Sequence, residues 1–143
     1  MLSSGVMSPE IQAFAAGFPA TLAHAALSLV LLAAGAVIYV LLSPYREIQE
    51  IRDGNAAAAV SFGGVLLGLA VPLAFSLAAS TSIEELGLWG VAIVAVQLLL
   101  FRIVDFVLKG LPQRVQEGET PAAVVLVAAK LACALLLAAA VAG

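Results

Sequence analysis

Apolar residues in this chain fall into four long runs, and the polar residues collect between them. Residues 20–42 form the first run, and no Asp, Glu, Lys or Arg lies between Glu10 and Arg46. Residues 55–79 form the second, again without a formal charge. Residues 85–108 form the third, with Arg102 and Asp105 near its end, and residues 121–142 form the fourth, with Lys130 inside it. A helix rising 1.5 Å per residue needs about 20 mostly apolar residues to cross a bilayer. The runs are too long and too rich in Ala and Leu for the alternating strands of a closed barrel. The pattern predicts an all-α fold, a bundle of four transmembrane helices in one domain.

Punctuation marks the ends. Ser43-Pro44 stops the first span and predicts a short helix over 44–53, with serine as cap and proline in its first turn. Tyr45, Ile48 and Ile51 share one face of that helix, which is expected to lie along the membrane surface. Gly54 ends it and Asn55 caps the second span. Thr81-Ser82-Ile83-Glu84-Glu85 holds overlapping capping boxes for the third. Gly110 and Pro112 end that span, and Thr120-Pro121 reads as a cap and first-turn proline for the fourth. Before the first span, Ser8-Pro9-Glu10 predicts an interfacial segment over residues 1–19 that Pro19 ends.

The two halves resemble each other at an offset of 64. Ile51-Arg52-Asp53-Gly54 aligns with Val115-Gln116-Glu117-Gly118, and Ala58-Ala59-Val60 with Ala122-Ala123-Val124. Each unit holds two spans, so the halves are expected to run parallel, related by an axis along the membrane normal. The surface helix of the second half reads as the shorter one.

Composition agrees with lipid as the solvent. Hydrophobic residues make up 64% of the 143 and charged residues 10%, against about half and about a quarter in soluble domains. A net charge of −3 leaves no basic patch for nucleic acid. One cysteine, Cys133, excludes an internal disulfide and a cysteine metal cage. No basic residue precedes Arg46, so the first helix is expected to be retained rather than cleaved as a signal. Arg46 and Arg52 follow the first span, and Lys109 and Arg114 follow the third. By the positive-inside rule, loops 43–54 and 109–120 are expected in the cytoplasm and both termini in the periplasm.

The segments Ser43-Pro44-Tyr45-Arg46-Glu47, Ile51-Arg52-Asp53-Gly54-Asn55-Ala56-Ala57-Ala58-Ala59, Gly63-Gly64, Leu67-Gly68, Pro72-Leu73-Ala74, Leu88-Trp89-Gly90 and Gln97-Leu98 resemble the YjfL-like bacterial inner-membrane proteins, domain-of-unknown-function family 350. The second half matches more loosely, through Leu111-Pro112, Val115 and Gly118-Glu119. In the last span the family often has Gly-Leu-Asn-Ala-Ala where this chain has Ala134-Leu135-Leu136-Leu137-Ala138-Ala139, and Lys130 is unusual for the family. The resemblance implies a bacterial inner-membrane protein without an assigned activity. Such proteins are often encoded beside envelope-stress and polyamine-synthesis genes, which implies envelope-stress proteins as partners.

Several residues are candidates for function. Gly64 and Gly68 form a GxxxG with Ser61 one turn earlier, a face for close helix contact within the bundle or between subunits. Pro72 cannot donate to the Gly68 carbonyl; the freed oxygen is met either by a neighbouring helix or by a cation or water. Arg102 and Asp105 share a face, and Lys130 enters an antiparallel neighbour, its stem long enough to snorkel toward Asp105. These three read either as snorkelling cations with a structural ion pair at the rim, or as a polar cluster lining a cytoplasmic vestibule. Arg52, Asp53, Gly54 and Asn55 form a turn that places a helix N-terminus at the cytoplasmic surface; it reads either as a site for an anionic lipid headgroup or, more simply, as a cap. His24 and Gln97 are minor candidates, and Tyr39 and Trp89 fit aromatic belts. No cofactor or metal site is indicated, and one His, one Cys and no clustered carboxylates argue against an enzyme. Two functions remain. One is a homo-oligomeric structural component that senses or stabilises the membrane under envelope stress. The other is an oligomeric channel or a transporter of a small cation or polyamine.

Overall fold

The computed structural model describes residues 8–143. It contains six helices among the described residues: α1 (Pro9–Leu42), α2 (Glu47–Arg52), α3 (Ala56–Ala79), α4 (Ile83–Val107), α5 (Leu111–Gln116) and α6 (Thr120–Ala142). α1, α3, α4 and α6 are long and apolar enough to cross a membrane. The predicted spans match these four closely, except at the N-terminus. There the interfacial segment and the first span are one helix of 34 residues. Ser8 accepts the amide hydrogen of Ile11 at 3.3 Å and starts it. Pro19 lies inside the helix and does not end it. Proline removes one backbone bond, the one to Ala15, and the alanine-rich turns on either side propagate past it. The part of the expected segment before Ser8 lies outside the described residues.

The two halves share a plan of long helix, six-residue helix and long helix. Their turns have the same backbone: Asp53 and Glu117 sit at φ −83° with ψ 4° and 3°, and Asn55 and Glu119 at ψ 99° and 100°. Gly54 and Gly118 between them have φ 92° and 85°, the left-handed region glycine enters without strain. The second surface helix is therefore not shorter. The first begins at Glu47, three residues after Pro44. Ser43 serves instead as the C-cap of α1, and its hydroxyl accepts from the Tyr45 amide at 3.2 Å. Likewise Thr120 is the first residue of α6 rather than its cap. That place belongs to Glu119, whose carboxylate is held by Arg114 at 2.9 and 3.0 Å and caps nothing.

Corresponding helices pack on each other, α1 on α4 and, most extensively, α3 on α6. The α3–α6 seam is close because it is lined by Ala57, Ala58, Ala122 and Ala123, all buried, and because Gly64 faces Val127. A Cβ on Gly64 would stand 2.5 Å from a Val127 methyl, and one on Gly68 would stand 2.8 Å from the Phe101 ring. The GxxxG face is thus consumed inside the bundle. A second core forms where α1, α3 and α4 meet, around Val65, Leu69, Ile93 and Phe101.

Asn55 ties the halves together. Its carbonyl oxygen accepts from the Ala58 amide at 3.1 Å, capping α3. Its Nδ2 donates to the carbonyls of Val115 and Gln116 at 3.0 and 3.2 Å, at the end of α5. Glu119, at the matching position, has no such donor, so α6 is not tied to α2 in return. α3 packs on α5, and α6 has no comparable packing on α2.

Candidate functional site

The end of the bundle that carries α2 and α5 holds a cavity of about 270 Å³. It opens between the α1–α2 corner and the α4–α5 corner, on the side where the second half lacks its tie. Lys130 projects into it from α6 with 1% of its side chain exposed. Its ammonium lies 3.0 Å from the Asp105 carboxylate of α4 and donates to the Tyr39 hydroxyl of α1 at 3.4 Å. It also stands 5.4 and 5.5 Å from the ring centres of Tyr39 and Phe101, within cation–π range. A cation in hydrocarbon needs a counter-charge, and two other helices, α1 and α4, supply Lys130 with an anion, a hydroxyl and two ring faces. It does not snorkel to the surface. Tyr39 is likewise not in an aromatic belt: it is 6% exposed and packs edge-on against Phe101. Trp89 is half-exposed on the outside, as a belt residue would be.

Arg102 lines the same cavity but takes no part in the ion pair. It is exposed and its guanidinium lies 3.5 Å from the Leu42 carbonyl, at the C-terminus of α1 where a cation is favoured. Ser61 borders the cavity from α3. The expected three-residue cluster is therefore a buried Lys130–Asp105 pair with Arg102 at its rim.

Sequence reasoning missed Glu47. Only 6% of it is exposed. One carboxylate oxygen accepts from the Ser43 hydroxyl at 2.9 Å, the Tyr39 hydroxyl also interacts with the carboxylate, and Oε2 lacks a partner of full hydrogen-bond geometry among the described residues. Burial pushes this carboxyl above its ordinary range, and the bonds from Ser43 and Tyr39 and the charge of Lys130 work in the opposite direction. The signal in the sequence was a glutamate four residues after Ser43. It reads as an ordinary surface-helix charge until the fold turns α2 inward over the cavity.

The remaining candidates lie elsewhere. Gln97 is fully buried, and its Nε2 donates to the Gly68 carbonyl at 2.7 Å. That is the oxygen Pro72 leaves free, so a neighbouring helix satisfies it and no cation is needed. His24 is half-buried in α1, 15 residues before Tyr39 and so roughly 22 Å along the helix. It stays apart from the cavity. Arg52 and Asp53 are exposed at the turn, where Asn55 does the structural work.

The family model described as Domain of Unknown Function (DUF350) matches residues 13–141, nearly the whole described chain. The chain belongs to the DUF350 family. It is 33% identical over 95 residues to the UPF0719 inner membrane protein YjfL of Escherichia coli strain K12, an alignment covering 66% of this chain and 72% of that protein. The protein of the same name from Escherichia coli O157:H7 matches equally. No solved structure matches the chain. A DUF350 protein with four apolar helices of spanning length is an inner-membrane protein, which the bulk composition had implied for a membrane of some kind. Within this DUF350 bundle the Gly-Asn-Ala segment that carries the likeness builds the α3 cap and the α3–α6 seam, and the cavity sits beside it.

Proposed function

We propose that this chain is a non-enzymatic inner-membrane component that senses or stabilises the membrane under envelope stress. It works as a homo-oligomer, with loops 43–54 and 109–120 on the cytoplasmic side and envelope-stress proteins as partners. The observation that supports this best is the placement of the polar groups. The charged ones, Glu47, Asp105, Lys130 and Arg102, gather at one cavity at the α2–α5 end, while at mid-bundle Gln97 Nε2 is taken up by the Gly68 carbonyl. A cavity with a few convergent polar groups at the edge of the hydrocarbon is suited to binding, and a continuous polar path through one chain is what conduction would need. Because the GxxxG face is used within the bundle, copies would associate through outward surfaces such as that of α1, which is 11% buried along its most apolar window.

The second reading, a carrier of a small cation or polyamine, is favoured by one observation: the cavity floor holds two carboxylates, Asp105 and Glu47. Purified protein reconstituted in liposomes separates the two. Sealed liposomes in cation and polyamine flux assays are the expected result. Flux that Asp105→Asn abolishes would overturn the sensing reading in favour of transport.

A further inference from the structure

The charge of the cavity is layered. Inside are Glu47, Asp105 and Lys130. Lys130 and Asp105 pair at 3.0 Å, which leaves Glu47 as the carboxyl without an ion-pair partner of its own, buried beside Tyr39 and with Oε2 short of a partner of full hydrogen-bond geometry among the described residues. At the rim are Arg102 and Lys109, both exposed and both lining the cavity. A buried carboxylate oxygen left without a donor costs free energy that a bound donor would recover. The space is ample: about 270 Å³ against the roughly 10–15 Å³ that one water requires.

A simple cation suits Glu47 but is repelled by the two cations at the entrance. A simple anion suits the entrance but not the interior. The complement of the whole arrangement is a zwitterion that leads with a hydrogen-bonding cation and trails an anion a few ångströms behind. The cavity opens where α1 and α4 end, at Leu42 and Val107, which is the depth of the lipid headgroups for helices of this length.

We propose that the cavity binds a phosphoethanolamine group, its primary ammonium on Glu47 and its phosphate between Arg102 and Lys109. The sensing reading is the frame for this inference, since a protein that reports on the membrane must distinguish one headgroup from another. A primary ammonium offers three donors, one of which reaches Oε2. A trimethylated choline offers none, and a phosphatidylglycerol headgroup has no cation to place there. Arg102 and Lys109 supply charge-assisted bonds to the phosphate.

The test uses the purified full chain, wild type and Glu47→Gln, incorporated into nanodiscs of mixed phosphatidylethanolamine, phosphatidylcholine and phosphatidylglycerol, with retained lipids counted by native mass spectrometry. Phosphatidylethanolamine is expected to be retained about tenfold over phosphatidylcholine, as one charge-assisted bond would give. Glu47→Gln should lose that preference. Arg102→Gln with Lys109→Gln should weaken retention of phosphatidylethanolamine and phosphatidylcholine alike while keeping their order. Soluble phosphoethanolamine, added to lipid-free protein in detergent, identifies the source: binding as tight as that of the lipid assigns the site to a free solute, and weaker binding assigns it to the membrane. Equal retention of choline and ethanolamine lipids, or a preference that survives Glu47→Gln with the variant still folded by circular dichroism, overturns the inference. Flux in sealed vesicles would instead sink the sensing reading, whatever lipid is retained.

Discussion

Replacing Asp105 by Asn should be the most damaging single conservative change in the bundle. Asparagine keeps the shape but removes the charge opposite Lys130, whose side chain is 1% exposed. Removing one partner of a buried ion pair costs about 3–5 kcal/mol, because the other charge stays in a medium of low dielectric. Set against a total stability of about 5–15 kcal/mol, that is a large fraction. Lys130→Met should cost less, about 1–2 kcal/mol. It strands Asp105, but that side chain is 21% exposed and borders the cavity, where water can solvate it. The double variant leaves no buried cation and should return to within about 1 kcal/mol of wild type, as neutral replacements of buried pairs do. The coupling expected from the cycle is therefore about 3 kcal/mol or more. Unfolding by added sodium dodecyl sulfate in mixed micelles, followed by far-ultraviolet circular dichroism, measures it. Polar pairs in membrane bundles average only about 0.6 kcal/mol of coupling because the unfolded helices find other partners. A value at or below that level would refute the claim that this pair is buried and matched.

Gln97→Leu should strand the Gly68 carbonyl and cost about 1 kcal/mol, the cost of a lost bond offset by removing the unpaired Gln97 Oε1. Pro72→Ala restores a backbone donor to Gly68, so in the same unfolding assay the double variant should be more stable than the sum of the two. Gly64→Ala should cost about 1–3 kcal/mol, since the new methyl meets the stiff Val127 side chain. Gly63→Ala has open space and should be neutral or stabilising by up to about 1 kcal/mol. An altered oligomeric state in Gly64→Ala with unchanged unfolding would contradict the placement of this face. The Glu47 carboxyl is raised by burial, so the folded state holds its proton to higher pH than the unfolded state does. Its contribution is complete below the ordinary glutamate value and is lost as pH rises through the raised folded value. Wild type minus Glu47→Gln should show stability falling with rising pH across that window, and a flat difference would contradict it.

The number and polarity of the spanning helices, and the extent of all but the first, were legible in the chain because each is a local property. An uncharged run long enough to cross hydrocarbon must satisfy its own backbone bonds, and only a helix does so one segment at a time. Gly54 and Asn55 were legible as a stop and a cap for the same reason, since both act within a single turn. The likeness of the halves, written in Ile51-Arg52-Asp53-Gly54 and Val115-Gln116-Glu117-Gly118, reappears as identical turn geometry. Pro19 misled because a proline's cost depends on how well its neighbours propagate a helix.

What only the tertiary structure decided is which polar groups meet. Gly68 and Gln97 are 29 residues apart, and Tyr39 and Lys130 are 91 apart, and neither pairing has a local signature. Glu47 reads as one charge among several on a short surface helix. It becomes a buried, half-satisfied carboxylate only because α2 packs on α3 and turns Glu47 into the cavity that α4 and α6 residues also line. Likewise the GxxxG of α3 is sequence, but its partner, Val127, is a choice made by packing. Hydrophobicity specifies that these helices enter lipid. Shape and the need to pair every buried charge specify how they face one another there.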